Sequence, residues 1–120
     1  MNDKKTTIQE LIDLVVAFAD EREWRKAHTP KDLSMAISRE STELLEKFLW
    51  MDEARSHQEV EENREEIEHE LADILIYAIH FAKLTNIDIC SAVEKKLKYN
   101  EVRYPVEKSK GRYDKWDRLQ

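Results

Sequence analysis

The chain has 120 residues, with 20 Lys or Arg, 26 Asp or Glu and a net charge of -6. That is enough for one domain with a core, and the charge lacks the basic face that binding to polymeric DNA or RNA requires. The single cysteine, Cys90, excludes an intramolecular disulfide and fits a reducing, cytoplasmic setting. "MNDKKTT" lacks the apolar core of a signal peptide, and the runs "LVVAFA" and "ILIYAIHFA" are too short to span a bilayer, so no membrane partner is expected.

One Gly and two Pro leave little turn material, and Leu, Ile, Ala, Glu and Lys in helical rhythm predict an all-α fold. Helix one begins near Thr6 or Thr7, where Thr7 and Glu10 form a capping box, and runs to about Lys26 with Ile8, Leu11, Ile12, Val15, Phe18 and Ala19 inward. "AHT" breaks it. Helix two starts on Thr29 as N-cap, with Pro30 at its first position and Asp32 in its first turn, and ends near Met51. The polar stretch "DEARSHQEVEENREE" is either a loop or, from about Gln58, the solvated start of helix three. Helix three turns almost wholly apolar from Leu71 to Ala82, which requires burial on nearly all sides, in a bundle centre or an oligomer interface. A fourth helix starts near Asp88 or Ser91 and stops before Pro105. Residues 1–105 thus read as one helical domain of the four-helix-bundle type. Residues 106–120, which hold Gly111, read as a charged tail or flap in which Lys110, Arg112 and Tyr113 could close over a ligand.

Two acidic pairs sit where helices should hide apolar side chains. Glu40 falls on the stripe of Leu33, Ile37, Leu44 and Phe48, with Glu43 on its flank. Glu70 and Asp73 are wedged among Ile67, Leu71, Ile74, Ala78 and Phe81. Each (i, i+3) pair puts two carboxylates on one helix face. Four carboxylates gathered in a half-buried place repel one another and raise one another's pKa, so a fully ionised cluster requires cations. Hard oxygen ligands favour Mg2+ or Mn2+. The alternative is two solvated faces on a non-catalytic helical oligomerisation or interaction module. A di-iron bundle needs two Glu-x-x-His motifs and only Glu66-x-x-His69 is present, which leaves His69 and His80 as surface or pocket-edge residues.

Other residues have two readings. Lys96, Asn100 and Arg103 share one helix face beside Tyr104, as a polyphosphate site or as a wet face balanced by acids such as Glu101. Trp24, Trp50 and His28 offer aromatic planes and a polar edge for a nucleobase, or are packing residues. Tyr77, one turn past Asp73, lines the same pocket or packs in the core.

The succession "FADEREWRKAHTPKDL", "ESTELLEKFLW", "HELADILIYAIHFAKLTNIDI" and "KLKYNEVRYP" resembles the all-α nucleotide pyrophosphohydrolases of the MazG type, above all their dCTP pyrophosphatase branch. The pattern E-x-x-E, a gap of 26 residues, then E-x-x-D is similar to that superfamily's signature. Many members carry a further Glu before the first pair, where this chain has Arg39. The resemblance implies hydrolysis of a nucleoside triphosphate, dCTP or a related deoxynucleotide, to monophosphate and pyrophosphate, a nucleotide-pool cleaning role. It also implies Mg2+ on Glu40, Glu43, Glu70 and Asp73, and a homotetramer built as a dimer of dimers, with helices and substrate sites shared between subunits. On the same footing Lys96 and Asn100, then Arg103 and Tyr104, contact phosphates, and Trp24, Trp50 and His28 meet the base. A base-side histidine of that branch aligns with Val15, which puts strict cytosine preference in question.

Overall fold

Thr7 opens the first helix with its Oγ1 accepting the Glu10 N–H at 3.1 Å, and three of the other four long helices start on side-chain caps in the same way. The computed structural model describes residues 1–120, in which every regular element is helical. The chain forms two compact units, Met1–Asn86 and Ile87–Gln120.

In the first unit, α1 spans Ile8–Glu21. It stops short of the expected Lys26 because Glu23 turns left-handed at φ 56, with its N–H bonded to the Asp20 carbonyl at 3.0 Å. A 3-10 turn, Trp24–Ala27, follows. Helix α2 spans Pro30–Glu46, and Thr29 Oγ1 accepts the Asp32 N–H at 3.1 Å. Its end also precedes the expected Met51, because the chain loosens into turns that finish at Trp50, left-handed at φ 66. Left-handed caps usually fall on Gly or Asn, so neither stop carried its usual marker.

The polar stretch forms a helix of its own, α3, Glu53–Glu62. Asp52 caps it by accepting the Arg55 N–H at 2.8 Å, and Arg55 reaches Glu59 at 2.6 Å and Glu62 at 3.0 Å. The buried Glu59 carboxylate also accepts from Asn63 Nδ2, so both of its oxygens are satisfied. Asn63 breaks the path before α4, Arg64–Thr85, which closes on a left-handed Asn86. Helix α2 packs along α4 as the principal contact, with α1 and α3 also against α4.

Few apolar side chains are buried by this packing: Ala19, Leu33, Ile79 and Ala82. Leu71, Leu75 and Ile76 of α4 remain exposed, so the burial on nearly all sides expected for this stretch is not supplied by the chain itself. No single helix is long and apolar enough to cross a membrane.

In the second unit, Asp88 caps α5, Ile89–Arg103, by accepting the Ser91 N–H at 2.9 Å. Pro105 then precedes α6, Val106–Ser109, and a 3-10 turn spans Trp116–Arg118. The Arg103 guanidinium lies over the Tyr99 ring at 4.5 Å and the Trp116 ring at 4.2 Å, which ties the C-terminal segment to α5.

Candidate active site

Helices α2 and α4 present the two acidic pairs to each other. One carboxylate oxygen from each of Glu40, Glu43 and Glu70 lies within 4.8 Å of the other two. Glu40 is buried; its Oε1 accepts from Arg39 at 3.0 Å, whereas its Oε2 is sealed from solvent and has no partner. Glu70 Oε2 is sealed and unpartnered as well. The adjoining Glu40 carboxylate and burial, then the Glu70 carboxylate, push the Glu43 carboxyl up to about 7. Burial, then the Glu40 and Glu70 charges, push Asp73 up too, with His69 and Arg39 pulling the other way.

The arrangement leaves negative charge uncompensated, because Arg39 is the one cation bonded to the cluster. Buried carboxylate oxygens without donors are costly, and a cation removes the cost. An all-oxygen, highly anionic donor set suits a hard divalent ion rather than zinc or a soft metal. The residues therefore fit a divalent metal site made by Glu40, Glu43 and Glu70, with Asp73 in the same electrostatic field.

Beside the acids lies a cleft of about 890 Å³ whose lining includes Trp24, His28, Arg39, Asp73, Tyr77 and His80. Trp24 stands edge-on to Phe18 at 5.9 Å, and Arg39 Nη2 is 3.5 Å from the Tyr77 hydroxyl. His28 and His80 meet edge-to-face, ring centroids 4.7 Å apart. Burial first, then Arg25, holds His28 below the ordinary histidine range. For His80 the depressing causes are burial, His28 and Arg25, with Asp20 opposing them. Both shifts favour the neutral ring.

Of the residues singled out in the sequence, Trp24, His28, Asp73 and Tyr77 thus line one cleft, next to Glu40, Glu43 and Glu70. Trp50 is 99% exposed and outside the cleft lining. Lys96, Asn100, Arg103 and Tyr104 all belong to the Ile87–Gln120 unit. There Lys96 Nζ sits 4.8 Å over the Tyr99 ring, and the half-buried Asn100 accepts the Tyr104 N–H on its carbonyl at 2.7 Å. Sequence reasoning missed Arg39 as a cleft residue. It also placed His80 at the surface or pocket edge, whereas His80 is buried within the lining. The missed signal was register: Asp73, Tyr77 and His80 follow at i, i+4 and i+7, one face of α4.

A family model described as MazG-like matches residues 35–119. The chain is 35% identical over 107 residues to dCTP pyrophosphatase 1 of Rattus norvegicus, a match that covers 88% of this chain and 63% of the relative. It is 31% identical over 115 residues to dCTP pyrophosphatase 1 of Homo sapiens, covering 94% of this chain and 68% of that one. The chain therefore spans only about two thirds of these relatives' length. A solved pyrophosphatase from Archaeoglobus fulgidus superposes with a TM-score of 0.80 at 37% identity, covering 88% of this chain and 98% of that structure. With its paired acids, all-helical build and match over most of its length, the chain is a member of the MazG-like family.

Proposed function

We propose that the chain is a nucleoside triphosphate pyrophosphohydrolase that cleaves a deoxynucleotide, dCTP or a close relative, between the α and β phosphates. The observation that carries this reading is the convergence of three carboxylates within 4.8 Å, two of them with sealed and unpartnered oxygens, beside a cleft with aromatic walls. The names of the similar proteins, dCTP pyrophosphatase and pyrophosphatase, support the same reaction and substrate class.

Glu40, Glu43, Glu70 and Asp73 hold Mg2+, with Mn2+ as a substitute. The chemistry supplied by the bound ion is neutralisation of charge on the phosphate chain and easier deprotonation of the attacking water. One of the four carboxylates orients that water or takes its proton, and no protein nucleophile is required. The base lies in the cleft against Trp24, with Tyr77 and His28 at its edges. Lys96 and Asn100, then Arg103 and Tyr104, are assigned to the phosphates, each testable by single substitution to Ala.

The same reading includes a homo-oligomer, a dimer of dimers. Leu71 and Leu75 of α4, Leu14 and Phe18 of α1 and Met35 and Leu45 of α2 are exposed, and a second copy would cover such faces. Trp50, fully exposed, suits a site completed by another subunit. Light scattering at micromolar concentration should give a mass above the 14.4 kDa of one chain.

The decisive experiment measures pyrophosphate released from a panel of canonical and modified nucleotides, with Mg2+, with Mn2+ and with chelator. Metal-dependent release of pyrophosphate and monophosphate, abolished by Glu70→Gln, is the expected result. Wild-type-like turnover by Glu70→Gln, or none by the wild type, would instead favour a helical interaction module.

A further inference from the structure

Outside the acid cluster, two side chains hold a buried polar atom without a partner, Ser109 and His80, and of these the His80 imidazole belongs to the cleft. It is 6% exposed, lines the cleft and abuts His28 with ring planes at 64°. Its Nδ1 is closed to solvent and meets no donor or acceptor. A buried N–H without a partner is rarer and less tolerable than a bare lone pair. A neutral His80 therefore keeps its proton on Nε2, at the other edge of the ring.

We propose that His80 is a specificity-determining residue whose Nε2–H reads the edge of the nucleobase. It selects a cytosine-type base, with an unprotonated ring nitrogen as acceptor, over uracil or thymine types that carry N–H there. The proposal rests on the cleft being the base-holding part of a pyrophosphohydrolase site.

Three observations converge on it. The cleft volume, about 890 Å³, falls within the range of small-molecule sites. Burial, then the nearby His28 and Arg25, favour the neutral ring, with Asp20 the opposing charge, and a neutral imidazole presents one donor rather than two. His28 packs against the ring and limits its freedom to turn the other edge toward the ligand. A fixed donor facing a base acceptor gains a hydrogen bond, whereas the same donor facing an N–H leaves two donors opposed. Sites built on hydrogen bonding reject such mismatches far better than sites built on shape.

The test compares kcat/KM for dCTP, dUTP and the 3-deaza analogue of dCTP, whose ring nitrogen is replaced by C–H, across wild type, His80→Phe and His80→Gln. Wild type should prefer dCTP over both others by at least about tenfold. His80→Phe should bring all three within about threefold, mainly by raising KM for dCTP. His80→Gln, which retains an N–H donor, should keep most of the preference. Nitrogen-15 spectra of the imidazoles at pH 7 should show His80 protonated on Nε2 and shifted when dCMP is added. Equal losses for all three nucleotides in His80→Phe would assign His80 a structural role and overturn the proposal, as would a ring protonated on Nδ1. If the wild type hydrolyses none of the nucleotides, the pyrophosphohydrolase reading falls and takes the proposal with it. If the wild type hydrolyses them with Mg2+ and His80→Phe keeps the dCTP preference, the assignment of His80 alone falls.

Discussion

Replacing Glu70 by Gln should stabilise the metal-free protein while removing its metal response. Two unit charges 4.8 Å apart, the limit of the Glu40–Glu70 oxygen separation, repel by about 1 kcal/mol in a water-like medium and about 3.5 kcal/mol at an effective dielectric constant of 20. Because Glu70 is half-buried and Arg39 already neutralises part of Glu40, the lower half of that range applies, about 1 to 2 kcal/mol. For a chain of this size that is a rise in melting temperature of roughly 3 to 8 °C. The assay is thermal unfolding at pH 8 in chelator, followed by a Mg2+ titration. Wild type should gain about 2.7 kcal/mol when Mg2+ reaches 100 times its dissociation constant, and Glu70→Gln little.

The pH dependence follows from Glu43, whose folded-state pKa is raised from 4.5 to about 7. Between those values the folded state binds more protons than the unfolded one, so metal-free stability falls as pH rises through that window and recovers on acidification. Glu70→Gln should flatten this slope, because one of the charges that raises Glu43 is gone. A variant that melts below wild type in chelator at pH 8, or a wild type whose metal-free stability grows from pH 5 to 7, would refute the idea that the acids repel one another in the fold.

Leu33, 2% exposed and part of the cleft wall, should lose about 2 to 5 kcal/mol on replacement by Ala, read as a lower urea midpoint with unchanged slope. Thr29→Ala removes the bond to the Asp32 N–H and should cost about 1 kcal/mol by the same assay. Trp24→Ala should weaken nucleotide binding by about 1 to 3 kcal/mol, seen as a higher KM, while Mg2+ binding measured by calorimetry in the absence of nucleotide stays at the wild-type level.

Helix starts were legible because Thr7, Thr29 with Pro30, and Asp88 carry their chemistry in the residue type. Two helix ends were not, since Glu23 and Trp50 adopt left-handed backbone without being the residues that usually mark it. Helix α3 stayed open between a loop and the start of the next helix, because no apolar stripe marks it as a helix of its own. Its Asp52 cap and the reach of Arg55 to Glu59 and Glu62 are geometric facts that a run of charges does not disclose. The acids were readable as an exception, charges on an apolar stripe at (i, i+3). Which of them meet was not, for that depends on how α2 lies along α4. His80 was read as a surface or pocket-edge residue, whereas its place in register with Asp73 and Tyr77 was the informative property.

The chain carries three tryptophans, and each occupies a different environment. Trp24 borders the cleft, Trp50 is fully open to solvent and Trp116 stacks on the Arg103 guanidinium. The molecule thus contains its own optical probes. With two of the three exchanged for Phe at a time, fluorescence would follow cleft filling at Trp24, any covering of the α2–α3 connection at Trp50 and unravelling of the C-terminal unit at Trp116, without any attached dye.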